Sequence, residues 1–407
     1  MKTRTLFAAM AAVLFLSTAT PCFSKPFSRT AALLGASDSV LVKADDGRVL
    51  FSWKPDAPRV PASTLKVLTC LAAMKILGPD HRFATELYSD GKGTCALKGY
   101  GDPLLLSKVL REMAGILALK VPGCKTLVLD DGFFQNPVDI PGAGDSTNPY
   151  DAPVGALCAN FNTVNFTRNP KTGELKSVDS KTPLVPFAKE IIREKRFPRG
   201  LVVLTHDCRE TSLYAGHLFA RFYEQAGGGA IRDIEAGKAG PGFSLVHTHS
   251  SPFNLTENVR LLLRYSNNFM TNQILLAMGA KRFGAPANLE KGVSALEEFA
   301  RDEVGLKQLQ IAEGSGLARE NRITASEMMK VLDAFEPYMD LLKENHGVRY
   351  KTGTLKGVSG RVGYVRKPGK IPSRFVILVN TPRHSAQKIL DSVLRELPPP
   401  GKAKGRS

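Results

Sequence analysis

Ser63 and Lys66 are the pair with the clearest chemical potential in this chain. They sit three positions apart in the run Val60-Pro61-Ala62-Ser63-Thr64-Leu65-Lys66. Residues at i and i+3 share a helix face, so the amine can reach the hydroxyl. From Leu65 to Leu77 the sequence is almost wholly apolar and is stopped by Gly78-Pro79, the pattern of a helix buried on every side. A lysine drawn into such a helix has its charged form disfavoured, and a neutral amine is a base. Ser63 would also lie at the helix start, where free N–H groups favour a developing negative charge. Together these make an activated nucleophile. Read alone, the spacing equally describes a capping serine beside a snorkelling lysine.

Two further stretches carry polar groups suited to the same chemistry. Ser266-Asn267-Asn268 follows the apolar helical run Val259 to Leu263, in a loop leading into the next helix. A hydroxyl there can relay a proton to a leaving amine, and an amide can hold a peptide backbone. Lys351-Thr352-Gly353-Thr354 opens on a strand. The missing side chain at Gly353 would let a substrate lie against that strand. The Lys351 charge and the Thr352 and Thr354 hydroxyls would receive a carboxylate, and the N–H groups of Ser63 and Thr354 would form a two-donor oxyanion hole. Each pattern recurs elsewhere, at Ser89 to Lys92, Ser385 to Lys388, Ser146 to Asn148 and Lys171 to Gly173. Context separates them: only positions 63, 266 and 351 combine helix start, interhelix loop and edge strand in that order.

The surrounding elements must bring these three stretches together. Ser39 to Ala44 and Arg48 to Trp53 read as a hairpin across Asp45-Asp46-Gly47 and lead straight to the Ser63 helix. From about Thr85 to Phe243 the texture is short strands with many Gly and Pro turns, broken by helices near Leu105 to Leu119, Leu184 to Lys195 and Leu213 to Gln225. Helices return at Glu257 to Leu263, Met270 to Ala280, Leu289 to Val304 and Ala325 to Ala334. Strands follow at Val348 to Thr354, Gly360 to Val365 and Phe375 to Asn380, then a helix from Ala386 to Leu394. The expected fold class is α+β. An antiparallel sheet from the two chain ends is flanked by helices and interrupted by a large β-rich insertion. The boundaries are residues 1–24 as a signal peptide, 25–84 with 245–400 as one discontinuous domain, 85–244 as the insertion, and 401–407 as a basic tail.

Composition narrows the setting. The 407 residues carry a formal charge of +17, which suits an anionic surrounding and allows peripheral association with a membrane or wall. No nucleic-acid recognition signature accompanies it, so nucleic acid is not expected as a partner. Met1 to Arg4, Leu6 to Leu16 and Ser17 to Ser24 form the basic, apolar and small-residue parts of a secretory signal peptide. Removing Cys22 with it leaves Cys70, Cys95, Cys124, Cys158 and Cys208. Of these, Cys95 with Cys124 is the candidate bridge, and Cys70 reads as a buried thiol on the Ser63 helix. His247-Thr248-His249 reads as a strand, and no spacing suggests a metal or cofactor.

The ordered set resembles the serine penicillin-binding protein and β-lactamase superfamily. More narrowly it is similar to the class C low-molecular-mass penicillin-binding proteins, the D-Ala-D-Ala carboxypeptidase/endopeptidase family S13. Pro61 to Lys66, Leu77-Gly78-Pro79, Gly99 to Pro103, Leu129 to Asp131, Tyr150 to Pro153, Ala156-Leu157, Asn160, Asn162, Gly314 to Leu317 and Asn321-Arg322 carry the likeness along nearly the whole mature chain. The long separation of Lys66 from Ser266 leaves room for that family's insertion. The resemblance implies a bacterial, periplasmic serine peptidase acting on peptidoglycan stem peptides and acylated by β-lactam antibiotics. It implies Ser63 as nucleophile, Lys66 as general base and Ser266 as proton shuttle. Asn268 and Lys351 to Thr354 would bind substrate, and Asp145 and Tyr150 of the insertion would receive a diaminopimelate side chain. Three departures stand out: Asn267 where Asp is common, Glu313 and Ala318 for Asp and Ser, and a short stretch between Gly316 and Lys351. A β-lactamase-type hydrolase and a catalytically silent wall-binding protein of the same fold are the alternatives.

Overall fold

The computed structural model describes residues 27–366 and 372–397, so the expected signal peptide and basic tail lie outside the described residues. The two chain ends meet in one antiparallel sheet. Its strands run in the order Glu344–Asn345, Val348–Leu355, Val358–Val365, Ser373–Val379, Asp38–Lys43 and Val49–Trp53. Ser373–Val379 is buried along its whole length, because helices cover both faces. Strand alternation divides its residues. Phe375, Ile377 and Val379 join Val40 and Val42 against Ile389, Leu390 and Val393 of the helix Ala386–Glu396. Val376 and Leu378 join Leu41 on the opposite face, in the larger core.

That larger core is built around the helix Lys66–Ile76, whose residues from Lys66 to Met74 are all buried. The helices Leu255–Tyr265, Asn268–Phe283, Leu289–Asp302 and Ala325–Phe335 supply apolar side chains to the same core. A helix in the middle of such a layer needs no polar face, which explains the uninterrupted apolar run in its sequence. Among the described residues no helix is long and apolar enough to cross a membrane.

The intervening segment leaves and returns through two paired strands, Arg82–Ser89 and Ser244–Asn254. They begin a five-stranded mixed sheet continued by Thr94–Gly99, Thr126–Asp130 and Asp233–Ala236, the last two junctions being parallel. Helices Ser107–Lys120 and Cys208–Gln225 close over it, with Leu117 and Phe219 in one cluster with Leu97, Leu127 and Leu129. A small sheet of Thr163–Arg168, Leu175–Ser177 and Gly200–Val203 completes the insertion. His247 and His249 lie on the strand Ser244–Asn254. The bridge expected between Cys95 and Cys124 is not formed: both are buried free thiols. The parallel register pairs Cys95 with Leu127, so Cys124 approaches from before the neighbouring strand.

Leu71, with no exposure at the centre of the larger core, reports on this packing. Leu71→Ala is expected to cost ~2–5 kcal/mol in denaturant unfolding. A loss below ~0.5 kcal/mol would contradict the central placement of this helix.

Candidate active site

Ser63 does not begin the α-helix. Ala62–Leu65 wind as a 3-10 turn and the α-helix starts at Lys66. The tighter turn is held from inside by the Thr64 hydroxyl, which donates to the Pro61 carbonyl at 2.7 Å. It is also gripped from both sides. Gly316 has φ +79°, and a Cβ there would lie 1.9 Å from the Ala62 carbonyl oxygen. A Cβ at Gly353 would lie 2.8 Å from the Pro61 carbonyl oxygen. The expectation that Gly353 opens space for substrate is therefore corrected. The chain's own Ser63 turn fills that space, and the glycine lets strand and turn approach.

Lys66 is fully buried and its ammonium has three partners. It donates to Ser63 Oγ at 3.1 Å, to Asn268 Oδ1 at 2.7 Å and to the Ser315 carbonyl at 2.7 Å. Burial pulls its pKa down to about 8, against the opposing pull of Glu313. Two of the three partners only accept. When the ammonium loses a proton, its two remaining N–H groups stay on Asn268 and Ser315. The lone pair then faces Ser63, the one partner able to donate.

Lys351 forms a second pair. Its Nζ donates to Ser266 Oγ at 2.7 Å and to the Thr352 carbonyl at 2.7 Å. Burial, followed by repulsion from Lys66, lowers its pKa to about 7. That repulsion places the two amines in one electrostatic site. The strand Val348–Leu355 pairs on one side with Val358–Val365 throughout. On the other side, Glu344–Asn345 reaches only Val348 and Arg349. The Tyr350 N–H points across that edge to the Lys343 carbonyl. Strand alternation therefore turns the amides of Thr352 and Thr354 to the same edge, and both residues are exposed.

The middle stretch is a joint rather than a loop. Ser266 ends the helix Leu255–Tyr265 in the left-handed region, with φ 55°. Asn267 caps the following helix, its side chain accepting from the Met270 N–H at 2.9 Å. An Asp at this position would cap equally well, so Asn267 preserves the geometry. Asn268 is engaged at both ends of its amide: Oδ1 accepts from Lys66, and Nδ2 donates to the Tyr150 carbonyl at 3.2 Å. Gln273, further along the same helix, holds Gly155 by a pair of bonds, at 3.2 and 2.9 Å. The insertion thus docks beside the site through backbone atoms. The Tyr150 side chain is exposed. Asp145 is exposed too; in this loop it is Asp151 that takes internal bonds, from Gly144 and Ser146.

Glu313 was visible in the sequence only as a departure from Asp. It is fully buried. Its carboxylate accepts from the backbone N–H groups of Ser315, Leu317 and Ala318 and from the amides of Asn272 and Asn321. Those bonds shape the loop that presents Gly316 to the Ser63 turn and the Ser315 carbonyl to Lys66. Asn272 extends the arrangement, its Oδ1 accepting from the Gly314 N–H at 3.0 Å. The sequence signal was an acid in front of Gly314-Ser315-Gly316 with Asn321 downstream. The roles of Ser315 and Asn272 had no separate signal.

The sequence profile of the D-Ala-D-Ala carboxypeptidase 3 (S13) family matches residues 28–196 and 200–346, and the chain belongs to that family. A D-alanyl-D-alanine carboxypeptidase of an Actinomadura species is 27% identical over 418 residues, spanning 83% of this chain and 76% of that protein. D-alanyl-D-alanine carboxypeptidase DacB of Haemophilus influenzae is 24% identical, spanning 80% of this chain and 76% of that protein. The crystal structure of penicillin binding protein 4 from Haemophilus influenzae superposes with a TM-score of 0.73 at 19% identity, covering 92% of this chain and 99% of that one. The same protein in complex with a β-lactam gives 0.70.

Glu313→Ala leaves its N–H donors unpaired in the interior. It is expected to lower stability by at least ~3 kcal/mol and to reduce acylation even in the fraction that stays folded. Wild-type stability in denaturant would contradict the organising role given to this carboxylate.

Proposed function

We propose that Ser63 is the nucleophile of this serine D-Ala-D-Ala carboxypeptidase and Lys66 its general base. The observation that carries this assignment is the set of three partners around Lys66, which leaves a neutral amine aimed at one hydroxyl. In the acylation step, Ser63 Oγ bonds to the carbonyl carbon of the penultimate D-Ala while its proton passes to Lys66 Nζ. The N–H groups of Ser63 and Thr354 receive the resulting oxyanion; one such donor is worth ~3 kcal/mol. Lys351, with Thr352 and Thr354, holds the terminal carboxylate. Ser266, already bonded to Lys351, passes a proton to the departing amine as the C–N bond breaks. Water then attacks the ester and releases the shortened stem peptide. A β-lactam would follow the same course up to the ester, its ring nitrogen taking the place of the leaving amine.

Asn268 orients Lys66 in this scheme, and contact between its amide and the substrate requires the bond to Tyr150 to open. Gly353 serves by close packing. Asp145 and Tyr150 are exposed on the insertion, and the Asp145 carboxylate would suit the ammonium of a diaminopimelate side chain. The signal sequence and the positive charge support a periplasmic setting beside an anionic wall.

Ser63→Ala is expected to lower both covalent penicillin labelling and D-Ala release by at least about a thousandfold, with folding intact by thermal melting. Labelling retained in that variant would assign the nucleophile elsewhere. The wild-type acylation rate should rise with pH as Lys66 loses its proton, with a midpoint near its pKa of about 8. A rate flat between about pH 6 and pH 9 would exclude Lys66 as the base.

A further inference from the structure

Ser266 and Lys351 also line a cavity of about 430 Å³ whose lining does not include Ser63. Its other walls include Arg264, Tyr265, Lys343 and Tyr350. The helix end Leu255–Tyr265 and the segment before Val348 form its two sides. The cavity is open because the hairpin at Glu344–Asn345 is very short. His346 and Gly347, both at positive φ, turn the chain back after two residues, so the strand edge past Tyr350 stays uncovered.

The cavity's charge is one-sided. Arg264 and Lys343 are exposed and line it with Lys351, and its lining contains no acidic residue. Among the described residues neither Arg264 nor Lys343 has an acidic partner, whereas nearby Arg349 and Arg366 are paired with Asp340. The Arg264 guanidinium lies 5.6 Å from the centre of the Tyr265 ring, within cation–π distance. Tyr265 itself is 68% exposed. Two unpaired cations and an exposed aromatic beside Lys351, where the proposed reaction puts one carboxylate, would suit a longer anionic group.

We propose that this cavity is a leaving-group subsite for amines bearing negative charge beyond the carboxylate held at Lys351. The inference rests on the peptidase reading above, which puts the leaving amine on the Ser266–Lys351 side. A departing D-Ala ends at Lys351 and leaves the cavity unfilled. The departing strand of a cross-linked stem peptide continues past that point and carries further carboxylates. Arg264 and Lys343 therefore favour cutting cross-links over trimming single stems. The chemistry is unchanged: the same amide bond breaks, and the proton still reaches the amine through Ser266.

The test compares kcat/KM for a purified cross-linked peptide dimer and for a pentapeptide monomer. It uses the full-length enzyme, an Arg264→Gln/Lys343→Gln variant and an Arg264→Glu/Lys343→Glu variant, with thermal melting as the folding control. The dimer-to-monomer ratio is expected to fall about tenfold in the first variant, the scale of two lost surface charge contacts, and further in the second. In the wild type the ratio should also fall as salt is raised. A ratio unchanged in both variants, or equal losses on both substrates, overturns the subsite. A wild type that neither releases D-Ala nor takes up penicillin overturns the peptidase reading itself, and the subsite with it.

Discussion

The contact between the buried Lys66 amine and its three partners is the interaction on which the rest of the structure depends. An ammonium without water around it is costly, and its burial is tolerated here because every N–H finds an acceptor. Each partner comes from a different part of the chain. Ser63 belongs to the same turn, Asn268 opens the helix after the insertion, and Ser315 sits in the loop shaped by Glu313. Loss of any one changes both where the proton goes and how well the core closes. Lys351, buried nearby and repelled by Lys66, adds a second reason for the site to shed a proton before substrate arrives. A carboxylate placed beside Lys351 would favour its charged form, so the protonation states of the two amines are electrostatically linked.

The insertion contributes more than bulk. Asn268 and Gln273 lie on one helix and reach Tyr150 and Gly155 through the backbone of the inserted segment. The conformation of that segment therefore bears on the amide that orients Lys66. The Gly99 to Pro103 run supports it from below. Gly101 donates its N–H to the Ala156 carbonyl at 2.8 Å, and a Cβ at Gly99 would lie 2.2 Å from that same oxygen. A segment far from Ser63 in sequence thus becomes one wall of the environment of Ser63 and Lys66.

Much of this was legible in the chain. The apolar run after Leu65 and the stop at Gly78-Pro79 mark the central helix, because burial on every side removes its polar positions. The hairpin, the closing strands and the later helices lie close to where their periodicities place them. The order of Ser63, Ser266 and Lys351 pointed to three stretches that the fold brings together around two buried amines. What the sequence did not disclose depended on contacts between distant segments. The 3-10 winding at Ser63 follows from Gly316 and Gly353 pressing on the turn, a constraint with no local signal. The bond from Asn268 to Tyr150 spans a helix start and a loop of the insertion. Glu313 read as a substitution because its N–H donors, Asn272 among them, are brought around it only by folding.

The positive charge of the chain, its open cleft edge and the cationic cavity all suit an extended acidic polymer, while the chemistry remains local to Lys66. The most direct test of the central claim is an NMR titration of the Lys66 side chain, in enzyme carrying 13C at the lysine Cε and assigned by the loss of one resonance in Lys66→Arg. A titration midpoint near pH 8, moving lower when Glu313 is replaced by Gln, is the predicted result. A midpoint near the ordinary lysine value of 10.5 would mean that the amine stays charged where the enzyme works, and would contradict its role as the base.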